Sequence, residues 1–374
     1  MLAGLVASVW LVHGLYNKLL HGSERHLAIV QSVPGLAGRA GELALGAIGA
    51  LETGLGLWVL ASVSAYACAA VQTALLLSMN VVELTFARDL LISPGGLLPV
   101  NLAFLALAWA VADVRSGGRL RARLRRHPLP MRARLQNCLT LTFALPVDVL
   151  RPLLPPGLEP ETAGTSGFIA VALVDARRLR PAAFPAWLGQ DFFLAGYRVF
   201  VRVRLPDGRT LRGLRILRSD TNRSPMVMAG NLLTHYNYSR CSAHTTAWAD
   251  DVRVIVRTPD RRGDLDLVVH ARRGELPPGS PFGSMREARR FAGPLPFTFD
   301  YEPETGGVIA IRATRAHWQP VPASVDLRLA SFFDAPVFAG CTPVLAAAFC
   351  VTEVDYRWER GVWIRPAGAP EVAP

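Results

Sequence analysis

Hydrophobic and polar positions change their rhythm once along this chain. Up to about residue 113 the apolar residues run in long blocks; beyond about residue 135 they alternate with polar ones in short segments broken by Pro and Gly. Four blocks stand out, at about Leu2 to Leu20, Ala40 to Ala61, Ala65 to Leu84 and Leu97 to Val114. Each is near the ~20 residues that cross a hydrocarbon core, so the pattern predicts a four-helix transmembrane bundle. The first block lacks a basic start and a clear small-residue cleavage site, so it reads as a span and not a leader.

In the second half, LQNCLTLTFAL and GFIAVALVDARRL read as strands, with a short helical run opening at Pro146 and reaching about Leu154. The clearest hairpin runs from Tyr197 to Leu205, turns on Pro206-Asp207-Gly208 and returns from Arg209 to Leu217. Its first arm places Tyr197, Val199, Val201, Val203 and Leu205 on one face and Arg198, Arg202 and Arg204 on the other, which reads as a solvated face or, less commonly, one that binds an acidic ligand. A second hairpin is predicted from Val252 to Ala271, and later strands at Val308 to Thr314, Ser324 to Leu329 and Val351 to Trp358. Ser224 as N-cap with Pro225 at the first helical position starts a helix to about His235. Ser284 and Glu287 form a capping box for another through Phe291. Many strands and few short helices predict a β-rich α+β domain, a curved or closed antiparallel barrel. The expected division is a transmembrane domain over 1–114, a basic linker over 115–134, a soluble domain over 135–360 and a tail over 361–374.

Charge sharpens the boundary. Of the net +11, residues 1–113 hold −2 and residues 114–134 hold +8, leaving +5 for the rest. Eight arginines from Arg115 to Arg134, with no acid after Asp113, make a positive-inside signal beside the last span. With an even number of spans, both termini and the soluble domain are expected in the cytoplasm, against the inner membrane. An arginine arm for nucleic acid would carry interleaved aromatics, and this one does not. The expectation is therefore a lipid bilayer as partner and no nucleic acid. Five cysteines show neither a CxxC pair nor zinc spacing, so free thiols and no metal site are expected.

Several polar residues fall inside the apolar blocks. Glu52 lies mid-span, Asn80 and Glu83 late in the third block, Asn101 in the fourth, and His13 and Lys18 in the first. An ionisable group at that depth costs several kcal/mol unless paired or hydrated, which makes His13, Glu52, Asn80 and Glu83 candidate functional positions. The plainer alternative pairs Glu52 with His13 or an amide, with Lys18 reaching to the surface. Gly46, Ala50 and Gly54 recur every fourth residue, as a close-packing stripe would.

The run VWLVHGLYNKLL, RHLAIVQSVP, GALETGLGLWVL and QTALLLSMNVVEL resembles the DoxX-like membrane proteins over about residues 1–113. That resemblance implies a four-helix membrane module, with a redox partner or quinone as the usual expectation. The residues themselves show no facing haem-ligand histidines and no cluster cysteines, so the cofactor stays unknown. The pieces LRPLLPPGLEPET, GFIAVALVDARRLRP, GYRVFVRVRLPDGRTLRGLRILRSDT and GNLLTHYNY resemble the DUF2071, or YqjF-like, family over about Arg132 to Arg360. The resemblance implies an acetoacetate decarboxylase-like fold.

A Schiff-base decarboxylase needs a lysine amine, and Lys18 is the only lysine in the chain. Arginine stays protonated and does not replace it, so that chemistry is excluded for the soluble half. Arg218, Asp220, Asn231, His235, Tyr236 and the nearby Tyr238 gather polar groups at a strand end and the next helix, where Asn231 and His235 would share a face. They form either a ligand pocket, with His235 and Arg218 meeting an anion, or a self-capped helix end. His270 and His317 read as isolated structural groups. No GxSxG, Walker, HExxH or dinucleotide motif is present. Two functions stay open: a membrane accessory module whose soluble barrel binds a small ligand, or an enzyme acting on a small organic acid or ketone by acid–base chemistry. A soluble half beginning at about Arg132 is expected to fold on its own.

Overall fold

The computed structural model describes residues 2–248, 251–270, 274–293 and 295–369. It divides into two units, Met1–Arg121 and Ala122–Pro374.

In the first unit, α1 (Leu2–Leu11) continues as a π-helix over Val12–Leu19 and is followed by α2 (Glu24–Gln31), α3 (Arg39–Ala61), α4 (Ala65–Phe86) and α5 (Pro94–Arg115), and α6 (Arg119–Leu124) carries the chain across the boundary at Arg121. Three of these, α3, α4 and α5, are long and apolar enough to cross a membrane. The first apolar block is helical throughout but split into stretches of ten and eight residues with different hydrogen bonding. The π stretch lies where the chain presses on α3: a Cβ on Gly14 would stand 2.6 Å from the Thr53 amide nitrogen and 2.7 Å from the Gly49 carbonyl oxygen. Only glycine permits that approach. The packed stripe of α3 is therefore Leu45, Gly49, Glu52, Gly56 and Val59, all buried. The expected stripe of Gly46, Ala50 and Gly54 is displaced from it, and a Cβ at Gly46 or Gly54 would meet nothing. The helix registers differ by one position, which the recurrence of small residues alone does not reveal. Asp113, at the end of α5, accepts the amides of Leu120 (2.8 Å) and Arg121 (3.2 Å), so it satisfies the open N–H groups that start α6.

The second unit is built on long strands. Those of the main sheet are β1 (Met131–Pro146), β2 (Ser166–Pro181), β3 (Gln190–Arg204) and β4 (Thr210–Thr221), after which α7 (Ser224–Leu233) leads out of it. A second sheet takes β5 (Ser242–Trp248), β6 (Asp251–Arg257) and β7 (Leu265–His270). After α8 (Met285–Phe291) the chain returns to the main sheet with β8 (Phe297–Glu302) and β9 (Gly307–Ala316), adds β10 (Ser324–Ala330) to the second, and ends the main one with β11 (Val344–Trp358). The main sheet pairs in the order β11-β1-β2-β3-β4-β8-β9, and β9 pairs again with β11 through Ala313–Ala316 against Trp358–Asp355. The hydrogen-bonded path thus returns to the strand where it began. The second sheet, in the order β10-β7-β6-β5, is antiparallel throughout.

The expected hairpins are present. β3 pairs with β4 across Pro206-Asp207-Gly208, with Arg204 opposite Thr210. β6 pairs with β7, with His270 opposite Asp251, and Ala271 lies outside the described residues. Two ladders on β4 are parallel, one from the short strand Tyr238–Arg240 and one from β8; the latter closes over Gly213, where a Cβ would come 2.5 Å from the Phe297 carbonyl oxygen. Side-chain alternation on β2 serves two cores. Ile169, Val171 and Leu173 enter the main core shared with Val256, Leu265 and Leu267 of the second sheet, while Ala170, Ala172, Val174 and Ala176 face the opposite way. The proline-rich segment after β1 belongs to the main core through Leu150, Leu153, Leu154 and Leu158. Ser284 caps α8 as the sequence predicts, accepting from the Glu287 amide at 3.2 Å. At α7, Ser224 is instead the first helical residue, the N-cap is Arg223, and no side chain caps it.

Candidate functional site

The face of the main sheet opposite the main core opens onto a cavity of about 210 Å³. Sequence explains the space: four alternate β2 positions that line it are Ala170, Ala172, Val174 and Ala176, none longer than valine, with Leu179 at the strand's far end. Around them Phe192, Leu194, Phe200, Leu214 and Ile216 give an apolar wall.

Into this wall are set two arginines and no carboxylate; the described lining residues include neither Asp nor Glu. Arg198 is half-buried on β3, and among the described residues its side chain makes no hydrogen bond or ion pair. Its guanidinium lies along the strand, within 3.0 Å of where a Cβ on Gly196 would sit. Arg315, on β9, donates to the Leu295 carbonyl (2.9 Å) and the Tyr356 hydroxyl (2.7 Å) and stacks over the Tyr356 and Trp318 rings. Those contacts hold the group in place, and among the described residues its charge has no counter-ion. Both guanidiniums act electrostatically on the Cys138 thiol, which also lines the cavity.

Three lining polar atoms are buried without a hydrogen-bond partner among the described residues: the Tyr236 hydroxyl, Trp318 Nε1 and His127 Nδ1. A buried polar group left unpaired costs roughly 1–3 kcal/mol, and three lining one cavity suggest a ligand or ordered water that satisfies them. Burial pushes the Cys138 thiol up to about 11 and the Tyr238 phenol up to about 12, and raises the Tyr236 phenol further. It lowers His127 to about 4. At neutral pH the phenols are therefore donors and the imidazole is uncharged.

The polar group expected from the sequence separates in space. Tyr236 lines the cavity, as does Tyr238. Arg218 is instead taken up by the buried Asp220 (2.9 and 2.8 Å) and, through a two-pronged contact of 2.7 and 2.9 Å, by Asp260. Asn231 closes its own loop, donating to the Tyr238 carbonyl at 2.9 Å and accepting the Tyr238 amide at 2.8 Å. α7 ends at Leu233, so Asn231 and His235 do not share a helical face; the extended Thr234 turns the chain, and the His235 amide donates to Asp300 at 3.1 Å. Neither Arg218, Asp220, Asn231 nor His235 lines the cavity. His270 bridges Asp251 (2.6 Å) and Asp326 (3.1 Å). Arg198 is the lining cation that strand alternation hides, because its face carries Arg202 and Arg204 as well. A usable signal lies in the same strand, where Phe192, Leu194 and Phe200 share that face.

Part of the basic segment also belongs to this unit. Arg126 makes a two-pronged pair with the fully buried Glu302 at 2.7 and 2.6 Å, and Arg125 donates to the Thr234 carbonyl at 3.1 Å. These two arginines build the fold and are not a free lipid-facing row.

Within the helical unit, Lys18 Nζ stands 2.8 and 2.6 Å from the two oxygens of Glu52, with both side chains buried. Lys18 thus turns inward, and Glu52 takes it as partner in place of His13 or an amide. The reason is reach: Lys18 lies a turn beyond Gly14, where the chain touches α3. His13 packs edge-on against His26 at 6.0 Å between ring centres. Asn80 accepts from Asn101 at 2.6 Å, and Glu83 is half-buried with no ion pair among the described residues. No group of three or more His, Cys, Asp or Glu converges as a metal site among the described residues.

A DoxX-like family model matches residues 7–109. The second unit is similar to a crystal structure of acetoacetate decarboxylase from Legionella pneumophila (13% identity, TM-score 0.44, covering 65% of this chain and 90% of that one). It is also similar to the enduracididine biosynthesis enzyme MppR complexed with the condensation product of pyruvate and imidazole 4-carboxaldehyde (14%, 0.44, 63% and 89%). A third similar structure is an acetoacetate decarboxylase-like enzyme from Sphingomonas wittichii (15%, 0.42, 64% and 93%). No curated protein matches the chain. A model for DUF2071, described as an uncharacterized conserved protein, matches residues 132–348, more than half of the sequence, and the chain belongs to that family.

Proposed function

We propose that this protein is a membrane-anchored small-molecule-binding module, in which a DoxX-like helical part anchors a β-barrel that holds one ligand. The observation that carries this reading is the apolar cavity with its three unpartnered polar atoms. A pocket of this kind, mostly apolar with few convergent polar groups, is what ligand sites look like. The closed path of strand pairing supports the word barrel. α1 with its π-helical continuation, 10 and 8 residues long, supplies a fourth span beside α3, α4 and α5. The arginines Arg115, Arg119, Arg121 and Arg123 beside the end of α5 support a cytoplasmic orientation for that end, for both termini and for the ligand domain. His13, Glu52, Asn80 and Glu83 are the polar positions through which the helical part would meet a redox partner or quinone in the bilayer.

Binding is preferred to acid–base catalysis on the state of the lining groups. His127 at about 4, Cys138 at about 11 and Tyr238 at about 12 each keep one protonation state through neutral pH. Lys18, buried against Glu52 in the helical unit, leaves the cavity without an amine for a Schiff base. The test is extraction of small molecules from the full chain purified in mild detergent, followed by mass spectrometry. One species should co-purify with the native chain and be lost from Ala172→Phe, which fills the cavity. Identical extracts from both proteins would sink the reading.

A further inference from the structure

The charge of the cavity names the class of its ligand. Arg198 and Arg315 both line it, no Asp or Glu does among the described residues, and neither guanidinium has a carboxylate partner elsewhere in them. Both arginines are half-buried, and a cation that has lost part of its water without gaining a counter-ion favours an anion beside it. Arg315 is already locked by the Leu295 carbonyl and the Tyr356 hydroxyl, so its position is preset. Arg198 keeps its donors open, and the Tyr236 hydroxyl, also facing the cavity, lacks an acceptor. A planar fork of N–H donors suits a carboxylate, which accepts two parallel hydrogen bonds. Away from the arginines, Ala170, Ala172, Val174, Phe192, Leu194 and Phe200 give an apolar stretch that suits a tail, and the other polar lining groups, such as Thr140 and Thr142, are uncharged. A dianion would meet a larger desolvation cost, and among the described lining residues only the two arginines carry charge to offset it.

We infer that the cavity takes an apolar monocarboxylate, its carboxylate on Arg198 and the Tyr236 hydroxyl and its tail along Ala170, Ala172 and Val174. This rests on the binding reading above and adds the sign and shape of the ligand. Arg198 is then the specificity-determining group, and Arg315 supplies a fixed field beside it.

The test compares 4-phenylbutyrate with its neutral amide, 4-phenylbutyramide, by calorimetric titration of the full chain in lipid nanodiscs, with empty nanodiscs as the blank. The native protein should bind the acid at least tenfold more tightly than the amide. Arg198→Gln should abolish that preference while leaving amide affinity within about threefold. If Arg198→Gln does not melt cooperatively, the native acid-to-amide ratio decides alone. Equal binding of the two probes would overturn the anion assignment and leave a neutral-ligand cavity standing. An acid preference that persists in a folded Arg198→Gln would overturn the role of Arg198. Binding of neither probe would count against the cavity as a binding site at all, and against the inference with it.

Discussion

Lys18 and Glu52, 34 positions apart, form an ion pair of 2.6 Å with both side chains buried, at the point where the π-helix meets α3. Removing either partner strands the other charge in an apolar setting, which costs about 3–5 kcal/mol. Glu52→Gln and Lys18→Met should each lower the melting temperature of the detergent-purified protein sharply. The double variant Lys18→Met/Glu52→Met should recover most of the loss. Singles that melt like the native chain would show that the pair is hydrated or unformed.

The fold of the second unit begins before the segment that the sequence suggests. Arg126 neutralises the buried Glu302, and the His127 backbone bonds both Leu233 and Gly361. A fragment from Ala122 should therefore melt cooperatively, whereas one from Arg132 should be less stable by roughly 3 kcal/mol or more, the cost of leaving a buried carboxylate without its cation. Equal melting of the two fragments would contradict this account of Arg126.

Acid should weaken the second unit through His127. Burial lowers its pKa from 6.5 to about 4, so between those values the unfolded chain binds a proton that the folded one refuses. Stability then falls as pH drops through that window, by about 1.4 kcal/mol per unit at most. His270 works in the opposite direction, because Asp251 and Asp326 raise its pKa, so the native slope is a difference of the two. Comparing the Ala122 fragment with its His127→Asn variant between pH 7 and 5 isolates the buried group. Asparagine suits the left-handed backbone at this position, where φ is +54°. The variant should lose less stability on acidification, and parallel curves would exclude His127 as the cause.

Much of the scaffold is legible from spacing alone. The Pro206-Asp207-Gly208 hairpin and the capping box at Ser284 follow from local chemistry, and local chemistry is written in neighbouring residues. The three long apolar helices are legible in the same way. The site was harder to read, because it depends on which face of a strand is enclosed. Arg202 and Arg204 share a face with Arg198 yet bind Glu159 at 3.0 and 3.3 Å, so the same alternation gives a solvated pair and a cavity cation. Lys18 was illegible for a related reason: its partner lies on another helix, and only the approach at Gly14 brings the two together. Arg218 and His235 stand where polar residues cluster in sequence, and such a cluster does not show which partners the fold supplies. Asp260, which takes up Arg218, arrives from a loop 42 positions later.

Cavity volume gives a further prediction. Ala172 is fully buried and faces the space, so Ala172→Val should fill part of it with little strain, at a cost of under about 1.5 kcal/mol. Affinity for the co-purifying molecule should fall while the melting temperature of the ligand-free protein holds. A large loss of stability with unchanged binding would mean that Ala172 supports the sheet and does not border the site.

The central claim is that the cavity beside Arg198 holds a molecule. The most direct measurement is an experimental density map of the full chain, purified without added ligand and resolved well enough to show side chains. The account predicts continuous density for one small molecule along Ala170, Ala172 and Val174, ending against Arg198 and the Tyr236 hydroxyl. A cavity closed by inward rotation of Phe200 and Trp318, or one holding only separate waters, would contradict it.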